Sequence, residues 1–487
     1  MTQTATPLAD DFAVSDDATV RARWTALVEK TLKGQSFDEA LTVLTPDGLT
    51  IQPLYTAADG VSVARDLRTR DADRPWDLRM RIAHPDSERA ARDSLVDLQN
   101  GAASVLLAVD PTGAQGVAIG SADDLARALD GVLIDLAPVA LDAGYLGPKA
   151  ADWLGAVAKG APNAPLAFHM DPLTTFGQTG TSPGPIESHV FNAATVGARL
   201  STTYARASLF LATGRAAHEA GGSNVEELAL MTASALAYAK ALVRSGLTME
   251  EAFRRIVLGV SLDGEYFTGV AKVRAARALW ARLAEACGVS EPAVIEARSS
   301  ARMLTTKDAW TNLLRLTSAG FAGAVGGADV VVLGTFTDAI GLPTAFARRQ
   351  ARNTQLVLME ESHLGRVADP AGGSWYLDSL TDQIARGAWA LFQSIEAAGG
   401  VIKALEIGQI ATAVGLARDT QAAAFADKSR KILGVTVFPN AEDKPAEVET
   451  VDSSAFAVEG PDPRLPGPDS HCPPLTPIRF AAAFEGA

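Results

Sequence analysis

The chain has 487 residues, 47% hydrophobic and 21% charged, with a net charge of −14. That composition supports a large buried core and excludes global disorder. The acidic balance disfavours nucleic acid and anionic membrane surfaces as partners. The two cysteines, Cys287 and Cys472, lie far apart with no ligand pattern around them. Neither a disulfide framework nor a zinc site is expected, and no metal site is assigned. Met1 to Asp17 carries no Lys or Arg and lacks the pattern of a signal peptide. No apolar run is long enough to span a bilayer, so a cytoplasmic location is expected.

Residues 1 to about 20 read as an extended tail. Trp24 to Lys33 has helical spacing and Gly34 ends it. Leu49 to Tyr55 alternates like a short strand or arm. Residues 1–70 are therefore read as an N-terminal extended arm.

From Pro75 short β-rich runs alternate with helical stretches. The predicted strands are Asp77–Ala83, Ser104–Asp110, Gly131–Ala137, Pro165–Asp171, Ser208–Thr213, Arg255–Leu262, Ala297–Leu304 and Asp329–Thr335. An open doubly wound sheet has the same alternation. The strand count and length favour an α/β fold of the (β/α)8 TIM-barrel kind over residues 71–376. Ser121 to Asp124 reads as a variant capping box, and Val270 to Ala286 as an Ala-rich helix. Gly177 to Pro185 reads as a flexible loop leaving the fourth strand. Residues 377–439 form a helical extension. From Asn440 the chain turns Pro-rich and acidic, and 440–487 is read as a linker or tail unable to form a packed element.

One run stands out. Arg352-Asn353-Thr354-Gln355 precedes an apolar, strand-like Leu356-Val357-Leu358-Met359, followed by Glu360-Glu361-Ser362-His363 and Asp369-Pro370-Ala371-Gly372-Gly373-Ser374-Trp375-Tyr376. Other pieces keep a fixed order with it. They are Pro53-Leu54-Tyr55, Pro75-Trp76-Asp77-Leu78-Arg79, His218-Glu219-Ala220-Gly221-Gly222, Lys272 to Trp280 and Gly341-Leu342-Pro343-Thr344-Ala345-Phe346. Together they resemble the adenosylcobalamin-dependent methylmalonyl-CoA mutases, over most of the chain from about Trp24 to Tyr376.

The resemblance implies a barrel that binds an acyl-coenzyme A thioester, with cobalamin clamped between it and a flavodoxin-like domain. It also implies a catalytic tyrosine and histidine, and neither is kept. The position matching the tyrosine is Arg81, and that matching the histidine is Ala216, in Gly214-Arg215-Ala216-Ala217-His218-Glu219. A guanidinium cannot wedge like a flat phenol, and an alanine donates no hydrogen bond to a thioester carbonyl. His218 lies at an even offset from Ala216; it is read as a turn or capping histidine, with partial rescue as the alternative. Arg79, Glu219 and Glu361 match retained family positions, the arginine near coenzyme A and the glutamates near the corrin. Each also has an ordinary folding role open to it. Asp469-Ser470-His471 mimics a cobalt-ligand signature, but Pro474 stands where it needs glycine, and the match is read as chance.

These features resemble the small, non-catalytic subunit of the heterodimeric enzymes. The resemblance implies an isomerase complex in which a large catalytic subunit is the partner and binds adenosylcobalamin. No cobalamin-binding flavodoxin-like domain is expected in this chain. The alternatives are a catalytic barrel served by a separate cobalamin-binding chain and a stand-alone acyl-CoA binder.

Overall fold

A computed structural model describes residues 18–63, 70, 71 and 73–486. The expected tail before Ala18 lies outside the described residues. Eight parallel strands close into a barrel in sequential order. They are β1 (Asp77–Ile82), β2 (Ser104–Ala108), β3 (Val139–Asp142), β4 (Ala167–Met170), β5 (Ser208–Thr213), β6 (Ile256–Leu262), β7 (Ile295–Ser299) and β8 (Val330–Val332). The (β/α)8 expectation holds. Alternation in β1 shows why: Leu78, Met80 and Ile82 are buried in the layer between strands and helices, and Asp77, Arg79 and Arg81 take the opposite face.

The third strand corrects the sequence reading. Gly131–Ala137 is a run of turns with Leu133 and Leu136 exposed, and β3 begins only after Pro138. This seven-residue apolar-rich run imitated a strand; the true one is short and its Val139, Ala140 and Leu141 are fully packed.

The run Leu356 to Met359 is not strand-like. Helix Ala345–Leu356 continues into a π-turn, Val357–Glu361. Arg348, Arg352 and Gln355 fall on one helical face. Both arginines bind the buried Asp97, Arg352 at 2.5 Å. Gln355 accepts from Trp76 Nε1 at 3.1 Å. Downstream, Arg274 donates to Asp369 at 3.0 Å and to Asp378 at 2.6 Å, and Ser374 caps helix Trp375–Ala397. The most distinctive motif in the sequence thus clamps helices around the barrel's N-terminal end.

Helices follow Ser374 at Trp375–Ala397, Val401–Glu406 and Gln409–Ala426. The Pro-rich segment is the largest departure from expectation: it is a belt around the C-terminal rim. Asp443 accepts from the Asp308 backbone N–H after β7, at 2.7 Å. Val448–Glu449 then pairs with Leu342–Pro343 after β8. Phe456 meets His84 after β1, and Val458 donates to the Pro111 carbonyl after β2. Ser470–His471 pairs with Thr181–Ser182 after β4, and Ile478 donates to the Glu219 carbonyl after β5. Phe480 returns to Arg302 beyond β7. A segment without internal periodicity satisfies its backbone on the rim instead of on itself. Gly177 to Pro185 is correspondingly not a loose loop: Gly177 lies in helix Pro172–Thr179, and Leu475 donates to its carbonyl at 2.7 Å.

The N-terminal region folds as helix Ala18–Leu32 and a hairpin of Val43–Leu44 with Thr50–Ile51. Among the described residues no helix is long and apolar enough to cross a membrane.

Candidate functional site at the barrel mouth

The inner face of the barrel is polar, and the sequence order explains which groups meet. Arg79, on β1, spends every donor group on the bore. Its Nε donates to Ser104 Oγ at 2.8 Å, Nη1 to Glu296 Oε2 at 2.6 Å and Nη2 to Asp77 Oδ2 at 2.8 Å. Arg298, two residues along β7 from Glu296, donates to Glu296 at 2.5 Å and to Asp142 at 2.9 Å. Burial alone would raise the Glu296 pKa, but Arg298, His169 and Arg79 overcome it and hold the carboxyl well below its ordinary range. A plane of paired charge therefore fills the bore.

Above this plane lies a cavity of about 180 Å³ at the C-terminal mouth. Leu141, Leu211 and Val260 give it apolar wall; Asp142, His169, Asp171, Arg215 and Arg298 give it polar wall. His169 sits in β4 with φ of +45°, where the β4–β5 register is irregular. Burial lowers its pKa to about 4. Asp171 caps helix Pro172–Thr179 through Thr174 N–H and accepts from Tyr238 Oη at 2.5 Å. Burial pushes its pKa up to about 7.

The expected positions distribute unevenly around this mouth. Arg81 stands in it, exposed, and donates to the Gln115 carbonyl at 3.1 Å. Ala216 is fully buried in the short helix Arg215–Glu219, packed towards Gly177, and presents only a methyl group. Glu219 is buried and accepts from Arg302 N–H at 3.2 Å, with Arg215 at 3.9 Å. Arg79 lies deeper, in the charge plane. Glu361 is not part of the site: it is exposed at the opposite end, where its neighbours Leu356 and Gly365 approach Gly101 and Pro75. The acid on the rim after β8 is Asp338, which accepts from Thr335 N–H at 3.0 Å.

His218 is neither a turn histidine nor a replacement for the missing imidazole. Its offset argument fails because β5 ends at Thr213 and a helix follows. The ring is fully buried, with Nδ1 2.8 Å from Glu227 and Lys272 Nζ 2.7 Å from the same carboxylate. Asp263 and Arg302 complete the cluster, paired at 2.8 Å. Burial, then Arg302 and Lys272, lower the His218 pKa. The Asp469-Ser470-His471 match is also structural. Asp469 accepts from Gly184 N–H at 3.0 Å and His471 extends a two-residue strand. No cluster of metal-ligating side chains occurs among the described residues.

Sequence reasoning missed Asp142, His169, Asp171, Arg298 and Asp338. The usable signal was position: Asp142, Asp171 and Arg298 end or nearly end their strands, where barrels carry their sites. The misplaced third strand hid the first of them.

Comparison with known proteins agrees with this architecture. The family model described as methylmalonyl-CoA mutase matches residues 72–460. A "Methylmalonyl-CoA mutase small subunit" of Streptomyces virginiae is 38% identical, over 89% of this chain and 72% of its own length. A "Probable methylmalonyl-CoA mutase small subunit" of Mycobacterium tuberculosis is 36% identical, over 96% of this chain and 75% of its own. The "Methylmalonyl-CoA mutase small subunit" of Propionibacterium freudenreichii subsp. shermanii is 34% identical, over 90% and 71%. The closed barrel, the ordered motifs that clamp it and these matches along nearly the whole chain agree: it belongs to the methylmalonyl-CoA mutase family.

Proposed function

We propose that this chain is the small, non-catalytic subunit of an adenosylcobalamin-dependent methylmalonyl-CoA mutase. A large subunit, its partner in a cytoplasmic heterodimer, holds cofactor and substrate and interconverts (R)-methylmalonyl-CoA and succinyl-CoA. The observation that carries this reading is the barrel interior. Arg79, Glu296 and Arg298 fill the bore that a thioester would thread, and Arg81 and Ala216 stand where the family's phenol and imidazole belong. The groups present fit neither the thioester nor the corrin. Charged side chains occupy the mouth, and His471 lies on a strand pair with Thr181, without the rigid acid-backed presentation an axial imidazole needs. No step of the isomerisation is routed through this chain.

The test is turnover of methylmalonyl-CoA with added adenosylcobalamin. The chain alone is expected to be inactive, and the co-purified heterodimer active. Arg81→Ala in this chain should leave the heterodimer's kcat within about twofold, since a surface change away from the chemistry alters little. Turnover by this chain with only a small cobalamin-binding protein would overturn the proposal.

The N-terminal arm is the proposed contact with the large subunit. Val43 and Leu44, on one strand of its hairpin, are 63% and 68% exposed among the described residues, an open apolar pair. Two aromatic residues of the arm are partly engaged within the chain, Tyr55 against Tyr376 and Trp24 against Phe37. Deleting residues 1–70 should abolish co-purification of the two subunits. Unchanged pairing would sink this assignment.

A further inference from the structure

The subunit role leaves the mouth cavity without a purpose, yet the cavity is built as a binding site. Three guanidiniums, those of Arg298, Arg215 and Arg81, act on the single carboxylate of Asp142. Arg298 is shared with Glu296, and Arg215 touches Glu219 only at 3.9 Å. The other acids facing the mouth are Asp171 and Asp338, and burial raises the pKa of both, which weakens their claim on these cations. Arg298 Nη2 lines the cavity buried and without a hydrogen-bond partner, while His169 Nδ1 has only Glu296 Oε2 at 3.9 Å. Such atoms are costly unless something satisfies them. Leu141, Leu211 and Val260 form an apolar patch on the wall, beside Thr175, Gln178 and Thr213.

We propose that this cavity binds a short aliphatic carboxylate as the free acid, its carboxylate on Arg215 and Arg298 and its chain against Leu141, Leu211 and Val260. Size sets the class: about 180 Å³ is close to the ~150 Å³ that holds one benzene, so about six heavy atoms fit. The charge plane beneath excludes a pantetheine arm, which separates this ligand from a thioester. Access is from the mouth, where Asp142 and Arg215 are partly exposed. The site does not depend on pairing with a large subunit.

Calorimetry on the full chain tests this with butyrate, its neutral isostere butyramide, and inorganic phosphate. Butyrate is expected to bind about tenfold or more tightly than butyramide, the value of one charge-assisted hydrogen bond. Arg215→Gln should weaken butyrate by a similar factor while the ligand-free melting temperature holds, because that side chain is partly solvent-exposed. No butyrate binding, equal affinity for butyrate and butyramide, or a preference for phosphate would each overturn the assignment. The comparison of the two ligands on unaltered protein keeps the test decisive if the variant fails to fold.

Discussion

Asp171 shows how a single side chain can set a pH dependence in this barrel. Its folded pKa is raised from 3.8 to about 7, chiefly by burial against the Tyr238 side of the cavity. Between those values the folded protein holds a proton that the unfolded chain has released. The contribution of this group to stability is therefore complete below about pH 4 and lost as pH rises through about 7. Asp171→Asn keeps an acceptor for the Thr174 N–H but cannot ionise. Melting curves of this variant should lose part of the wild-type decline between those pH values, and gain relative stability above pH 7. Identical pH profiles would show that the carboxyl titrates normally. Glu296 works in the opposite sense: its depressed pKa stabilises the fold above the ordinary carboxylate range and is lost on acidification.

Buried ion pairs, besides apolar packing, tie the helices around the barrel together. Helix Asn224–Arg244 brings Glu227, helix Tyr266–Ala286 brings Lys272, and helix Arg215–Glu219 brings His218 to one buried point. Removing one member leaves the others as uncompensated charge in a dry site. Lys272→Met should therefore cost about 3–5 kcal/mol, read from the shift of a urea midpoint. The double variant Lys272→Met with Glu227→Gln should recover part of that loss, since the stranded charge is gone. A single variant that costs less than about 1 kcal/mol would place the pair in effective contact with water. The same economy explains the motif residues: Lys272, Arg274 and Arg277 recur on one helix because each ties it to a different neighbour, Glu227, Asp369 and Asp329.

The belt from Asn440 onwards makes the C-terminal rim part of one packed body. Leu475 enters the main apolar core, and its neighbour Cys472 is buried beside Phe176. Leu475→Ala should cost about 2–5 kcal/mol, the range for truncating a buried leucine, in chemical denaturation. A loss within about 0.5 kcal/mol, typical of surface positions, would mean that the belt is detached in solution. The belt also seats Ile478 and Phe480 against the Glu219 and Arg302 backbone, so loosening it should disturb the site side of the barrel before its base.

Much of this was legible before any coordinates. Alternating apolar runs such as Leu78-Met80-Ile82 and the fully buried, mostly apolar β6 carry their own strand signal, because burial on one or both faces writes a local pattern into the sequence. The ordered motifs carried the family, and the replacements at Arg81 and Ala216 showed which groups are absent. What was not legible depends on contacts between distant residues. The run around Leu358 looked strand-like until Arg348, Arg352 and Gln355 showed the helical face that Asp97 and Trp76 require. A proline-rich belt has no period of its own, and its hydrogen bonds lie on five different loops. Glu361 and Glu219 could be matched by motif, but barrel closure puts them at opposite ends. The cavity and its charge plane unite Arg79, Asp142, Glu296 and Arg298 from three strands far apart in sequence, and only the closed barrel makes them neighbours.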